Sequence, residues 1–113
     1  EAGMATAEFA VAIPALLLVV LLSLSAVTTV VDQVRCVDAA RATARLLARG
    51  DAETGAVAEG RRLAPDGATV VVAMRADDVS VRVASPPRAG LGWLGSRASP
   101  TATAVAARED TPP

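Results

Sequence analysis

Few residues of this chain can do chemistry on their own. Its 113 residues include no His, no Tyr and no Lys; all eleven cations are Arg, and Cys36, Phe9 and Trp93 each occur once. Without His, metal-assisted and triad-type reactions lose their usual ligand and base. A lone Cys closes no intrachain disulfide and builds no Cys-rich metal site, so Cys36 is either a small buried hydrophobe or a thiol for an intermolecular disulfide. Asp77 and Asp78 are neighbouring carboxylates at a turn, and two acids alone make neither a metal site nor an acid–base pair. A net charge of −1 with 2% aromatic residues offers no basic field and no stacking platform for nucleic acid. The composition argues against an enzyme, a metal, a cofactor, a small-molecule substrate and a nucleic-acid partner. One carboxylate is placed unusually. Glu8 follows Gly3 by five residues and abuts Phe9, where a long apolar run begins.

That run, Phe9 to Val31, is 23 residues without a formal charge. As a helix it would extend about 35 Å at ~1.5 Å per residue, enough for the roughly 30 Å hydrocarbon core of a bilayer. The remaining residues, 32–113, have the composition of a small soluble domain, with eleven Arg against ten acids. A retained membrane anchor fits best. A signal peptide cut near Ser23-Leu24-Ser25 would want basic residues ahead of a shorter apolar stretch. A buried core helix would need more protein around it than follows. Pro14 lies inside the run, lacks an N–H and predicts a kink. Arg35, Arg41, Arg45 and Arg49 follow the run and none precedes it, so charge alone places the following domain in the cytoplasm.

Beyond Val31 the helical pattern continues through residue 49. Cys36, Val37, Ala40, Ala44, Leu47 and Ala48 share one arc, Asp38, Arg41, Arg45 and Arg49 another, and Gly50 ends the helix. Asp51 is placed to cap a second helix that Pro65 stops near Ala64. Asp66-Gly67 is a turn signal, and two alternating runs follow: Val70, Val72 and Met74 in Thr69–Arg75, then Val79, Val81 and Val83 in Val79–Ser85. Residues 86–100 read as a Gly- and Pro-rich loop in which Trp93, with Leu91 and Leu94, tucks beneath the sheet or forms a subunit interface. Thr101–Ala107 is a third candidate strand. The expected fold is α+β: a long N-terminal membrane helix running into an amphipathic half, a short second helix, and an antiparallel sheet of two to three strands.

Gly3, Glu8, Phe9 and the apolar helix together resemble the processing site of type IV prepilins. With the element order and Gln33-Val34-Arg35-Cys36-Val37-Asp38-Ala39-Ala40-Arg41, the chain resembles the TadE-like proteins of the tight-adherence (Flp) pilus systems. The resemblance implies cleavage by a prepilin peptidase between Gly3 and Met4, which makes Glu8 the fifth residue of the mature chain. It implies a register role for Glu8 and Phe9 among other pilin-like subunits, and storage of the subunit in the lipid bilayer. It divides the chain into a leader end and processing site (1–8), a transmembrane helix (9–31), an extracytoplasmic domain (32–107) opening with the helix continuation 32–49, and a disordered tail (108–113). It also implies a basic leader ahead of Glu1, which reverses the orientation read from charge. The alternatives are a single-pass anchored binding domain without a pilus role and a secreted soluble binding protein with a cleaved signal peptide.

Overall fold

The computed structural model describes residues 2–88 and 90–109. One helix, α1 (Ala2–Ala48), supplies both the apolar run and the spine of the domain, giving a molecule 83 × 20 × 16 Å across. It is followed by α2 (Glu53–Leu63) and strands β1 (Thr69–Met74), β2 (Asp78–Ala84) and β3 (Thr101–Ala107). Residues 2–31 are solvent-exposed apart from the half-buried Ser25 and Thr29, and burial on α1 begins at Asp32. This is the expected α+β arrangement. Among the described residues α1 is the one helix long and apolar enough to cross a membrane.

The strands form one antiparallel sheet in the order β1-β2-β3. Alternation on β2 puts Val79, Val81 and Val83 on the helix side, all fully buried. Register pairs Val70, Val83 and Ala102 in one row across the sheet, Val72, Val81 and Ala104 in the next, and Met74, Val79 and Ala106 in the third. The packed face of α1 opposite these rows is also small: Cys36, Ala40, Ala44 and Leu47. Short side chains on both surfaces let helix and sheet approach closely. Ala39 and Thr43 extend burial to a second face of α1, against α2.

The contact between the two helices is closer still. A Cβ on Gly60 would lie within the van der Waals envelope of Thr43 Oγ1, with Thr43 Cβ at 3.4 Å and the Ala39 carbonyl at 3.7 Å. The glycine that weakens α2 by propensity is thus required for its packing. Helix α1 ends in a double hydrogen bond of the Schellman type: Gly50 N–H donates to the Leu47 carbonyl (3.0 Å) and Asp51 N–H to that of Leu46 (3.1 Å), with Gly50 at φ +90°.

Four details differ from the pattern reading. Ala52, not Asp51, occupies the position before α2 and provides no side-chain cap; the Asp51 carboxylate instead accepts from Arg49 at 3.1 Å. Met74 is exposed although it pairs with the buried Val79, because β1 is an edge strand. The loop before β3 contains 3₁₀ turns over Gly92–Ala98, joined at Gly95 with φ +60°. Of the tail expected at 108–113, Arg108 N–H donates to the Asp77 carbonyl and Glu109 N–H to that of Ala48, while 110–113 lie outside the described residues.

Gly60→Ala should therefore lower stability by about 1–3 kcal/mol through overpacking, although Ala is the better helix former. Denaturant unfolding in detergent checks this, and adding Thr43→Ala should restore much of the loss by emptying the volume the new methyl enters.

Candidate functional site

The N-terminal residues singled out by spacing lie in the first turns of α1. Gly3, Met4, Glu8 and Phe9 are all exposed, and Met4 and Glu8 share a helix face one turn apart. The helix continues unbroken through Pro14. Hydroxyls in the apolar run are satisfied inside the helix: Ser23 Oγ donates to the Val19 carbonyl at 2.7 Å, and Thr28 and Thr29 donate to that of Ser25 at 2.9 and 2.8 Å. Such bonds pair the hydroxyls within the helix itself, at a slight cost to its regularity.

A second constellation sits where α1 leaves the apolar run. Four residues within five positions fasten the helix to three other parts of the chain. Asp32, 1% exposed, accepts two bonds from Arg88 of the β2–β3 loop, Nε at 2.5 Å and Nη2 at 2.8 Å. Gln33 reads the first residue of β3 in both directions: its Nε2 donates to the Thr101 carbonyl (2.7 Å) and its Oε1 accepts from Thr101 N–H (2.9 Å). Arg35 donates to the Leu63 and Ala64 carbonyls at 3.3 and 3.2 Å, where the C-terminal end of α2 lacks donors. Cys36 is fully buried and directs its thiol at the Pro100 carbonyl, 3.8 Å away. These residues form a collar around the first helical turns past Val31. Asp32, Arg35, Pro65, Asp66, Pro86 and Arg88 also line a polar cleft of about 260 Å³.

The fork of Arg88 on Asp32 is charge-assisted and bidentate, the strong form of such a pair. It raises the guanidinium's pKa, chiefly through the hydrogen bonds and then through the carboxylate's charge. The Cys36 thiol is also pushed up, first by burial and then by the Asp32 charge, with Arg35 opposing. Buried in this way, Cys36 occupies the packing role of its two sequence readings.

Gly3, Met4, Glu8, Phe9 and Cys36 all fall on α1, and the collar was not foreseen from the sequence. Arg35 entered the sequence reading only as a charge after the apolar run; its guanidinium caps α2. Asp32 and Arg88 are 56 positions apart, and no local pattern connects them. One signal was present: three polar side chains, Asp32, Gln33 and Arg35, crowd the first turn after a charge-free run, more than a solvated face requires. Trp93 is not tucked under the sheet. It is 78% exposed, while Leu91 is buried and Leu94 half-buried in its place. Among the described residues no group of three or more Asp, Glu or Cys is arranged to hold a metal.

With this geometry in view, the family comparison bears on the N-terminal segment of the chain. Residues 3–45 match the model of the family described as TadE-like protein. The matched segment runs from the Gly3–Glu8 spacing through the apolar helix and the collar into the packed half of α1. The chain is also similar to the apoptosis inhibitor Rv3655c of Mycobacterium tuberculosis, with 52% identity over 65 residues, covering 58% of this chain and 51% of that protein. It thus spans about half the length of that relative. No solved structure matches it.

Arg88→Ala should cost about 2 kcal/mol, the scale of a hydrogen bond to a charged group, because Asp32 is left buried without its partner. Asp32→Asn should cost less, since the amide still accepts from Arg88 and carries no buried charge; chemical denaturation of both variants checks the order. The raised Cys36 pKa gives a pH dependence of defined sign. The folded state holds the thiol proton more tightly than the unfolded chain, so this contribution is intact below the ordinary thiol value of ~8.5 and is lost as pH rises through it toward the higher folded value. Stability measured from pH 7 to 10 should fall over that window, and Cys36→Ala should flatten the slope.

Proposed function

We propose that this chain is a minor pilin-like subunit, cut by a prepilin peptidase between Gly3 and Met4, that takes part in assembling a tight-adherence pilus. The observation that carries the reading is the TadE-like segment over residues 3–45, with Gly3 and Glu8 five apart and a charge-free helix beginning at Phe9. Residues 9–31 hold the subunit in the cytoplasmic membrane, and residues 32–107 stand outside it. Other pilin-like subunits and the peptidase are its partners, and no step of the role is catalytic. The name of the mycobacterial relative speaks of apoptosis; no side-chain arrangement described above supplies a mechanism for such an activity here.

The physics of assembly follows from the first turns of the helix. A peptidase needs close backbone approach at the cut, and Gly3 presents no side chain there. Cleavage leaves a charged α-amine on Met4, with the Glu8 carboxylate about 6 Å further along the same helix face. Both charges sit at the edge of hydrocarbon, where an unpaired ion is costly. In a bundle of such helices, Glu8 of one subunit pairs with the Met4 amine of its neighbour. This satisfies both charges and fixes the axial register, while Phe9 packs beside the pair.

Intact-mass measurement of the protein from its native host tests the processing step: the mature chain should begin at Met4, and a chain retaining residues before Met4 contradicts the reading. Glu8→Ala should leave membrane insertion unchanged and lower recruitment into the assembly by roughly tenfold, the equivalent of about 1.4 kcal/mol. Recruitment equal to wild type would exclude the register role and favour an anchored domain without a pilus function.

A further inference from the structure

The collar fixes the depth of the segment between β2 and β3. Residues 32–36 lie within about 8 Å of Val31 along the helix axis at ~1.5 Å per residue. A bilayer of roughly 40–45 Å with a hydrocarbon core of about 30 Å leaves a headgroup layer of ~5–8 Å on each side. The segment starts at Arg88, held on Asp32, and ends at Pro100 and Thr101, held on Cys36 and Gln33. Both of its ends are therefore fastened at headgroup depth.

What lies between those ends suits that layer. Leu91 N–H donates to the Arg88 carbonyl (3.1 Å) and Leu94 N–H to that of Leu91 (3.0 Å), so successive tight turns lead from the fixed Arg88 to Trp93. Leu91 and Ala98 are buried and hold the base of the segment, while Trp93 is 78% exposed and Arg97 is exposed nearby. Indole has an apolar body and one N–H, the combination enriched at membrane–water interfaces. Arg88 is neutralised by Asp32, and between it and Thr101 the segment carries Arg97 and no carboxylate, so its remaining charge complements an anionic leaflet.

We propose that the Trp93 segment is a second membrane contact: its indole enters the headgroup layer beside the exit of α1, and Arg97 meets anionic phosphates. The inference rests on the reading of residues 9–31 as a membrane span. One helix alone leaves the domain free to rotate about its axis and to tilt. A side contact at the base restrains both and sets which face of the sheet meets a neighbouring subunit.

Trp93 is the one Trp, and the chain has no Tyr, so its emission reports a single site. The test uses the full chain, dilute in unilamellar vesicles of phosphatidylethanolamine and phosphatidylglycerol. The expected result is emission shifted to the blue of the urea-unfolded chain, protection from iodide, and quenching by lipids brominated near the carbonyl end of the acyl chain. The shift should be larger than in phosphatidylcholine alone; equal shifts overturn the preference for anionic lipid. Water-like emission with full iodide access overturns the contact. A shift that appears only as protein is raised relative to lipid overturns it too, in favour of a contact between copies of the chain. Flotation after an alkaline wash separates the two levels of the account. A chain that floats with water-like emission keeps its span and loses this contact, whereas a chain that does not float loses both.

Discussion

A charge-free helix of 23 residues has far more apolar surface than the small domain after it can cover. The structure does not try to cover it. Residues 2–31 are left to their surroundings, and the same helix, once past Val31, becomes the surface on which everything else packs. The domain has no other long element to serve as a spine. Its sheet, second helix and loops are positioned by how they meet α1, so the point where the apolar run gives way to packing is where the molecule must be tied together.

That point is the collar. A small domain on a long lever needs firm attachment at its base, and side chains of Asp32, Gln33, Arg35 and Cys36 reach the β2–β3 loop, β3 and the end of α2 within little more than one turn. Each contact also satisfies a group that would otherwise be buried without a partner: the Asp32 carboxylate, the Thr101 N–H, the last carbonyls of α2. Above the collar, Ala and Val faces and Gly60 allow close approach of helix, sheet and second helix. The core gains its density from small residues brought near one another, where a larger domain would use aromatics.

The elements were legible because each rests on a local pattern. The uncharged run marked the exposed first part of α1, the Ala-rich arc from Cys36 to Ala48 marked the packed face, Gly50 marked the end of α1, and alternating Val marked β1 and β2. Even the weak Thr/Ala alternation of 101–107 was enough for β3, because Ala is what a strand facing a close helix requires. The collar was not legible, because its partners are distant in sequence and meet only once the fold exists. Gly60 looked like a defect of α2 until the position of Thr43 gave it a purpose. Of the two places open to Trp93 in the sequence, the one beneath the sheet is not taken: Leu91 and Ala98 are buried there and the indole is exposed. The N-terminal spacing Gly3-x4-Glu8 has no counterpart in the geometry: both residues are exposed on a helix.

If α1 is one rigid body from membrane to domain, a force or a subunit contact applied to the span is felt at the sheet without loss. A joint at Val31 would decouple the two. Residue-resolved amide hydrogen exchange of the chain in lipid nanodiscs tests this most directly. The account predicts continuous protection from the span through Asp32–Cys36 to Leu47, with no fast-exchanging amide between them. A band of rapid exchange across residues 30–36 would show a hinge where the collar should be, and would contradict the account.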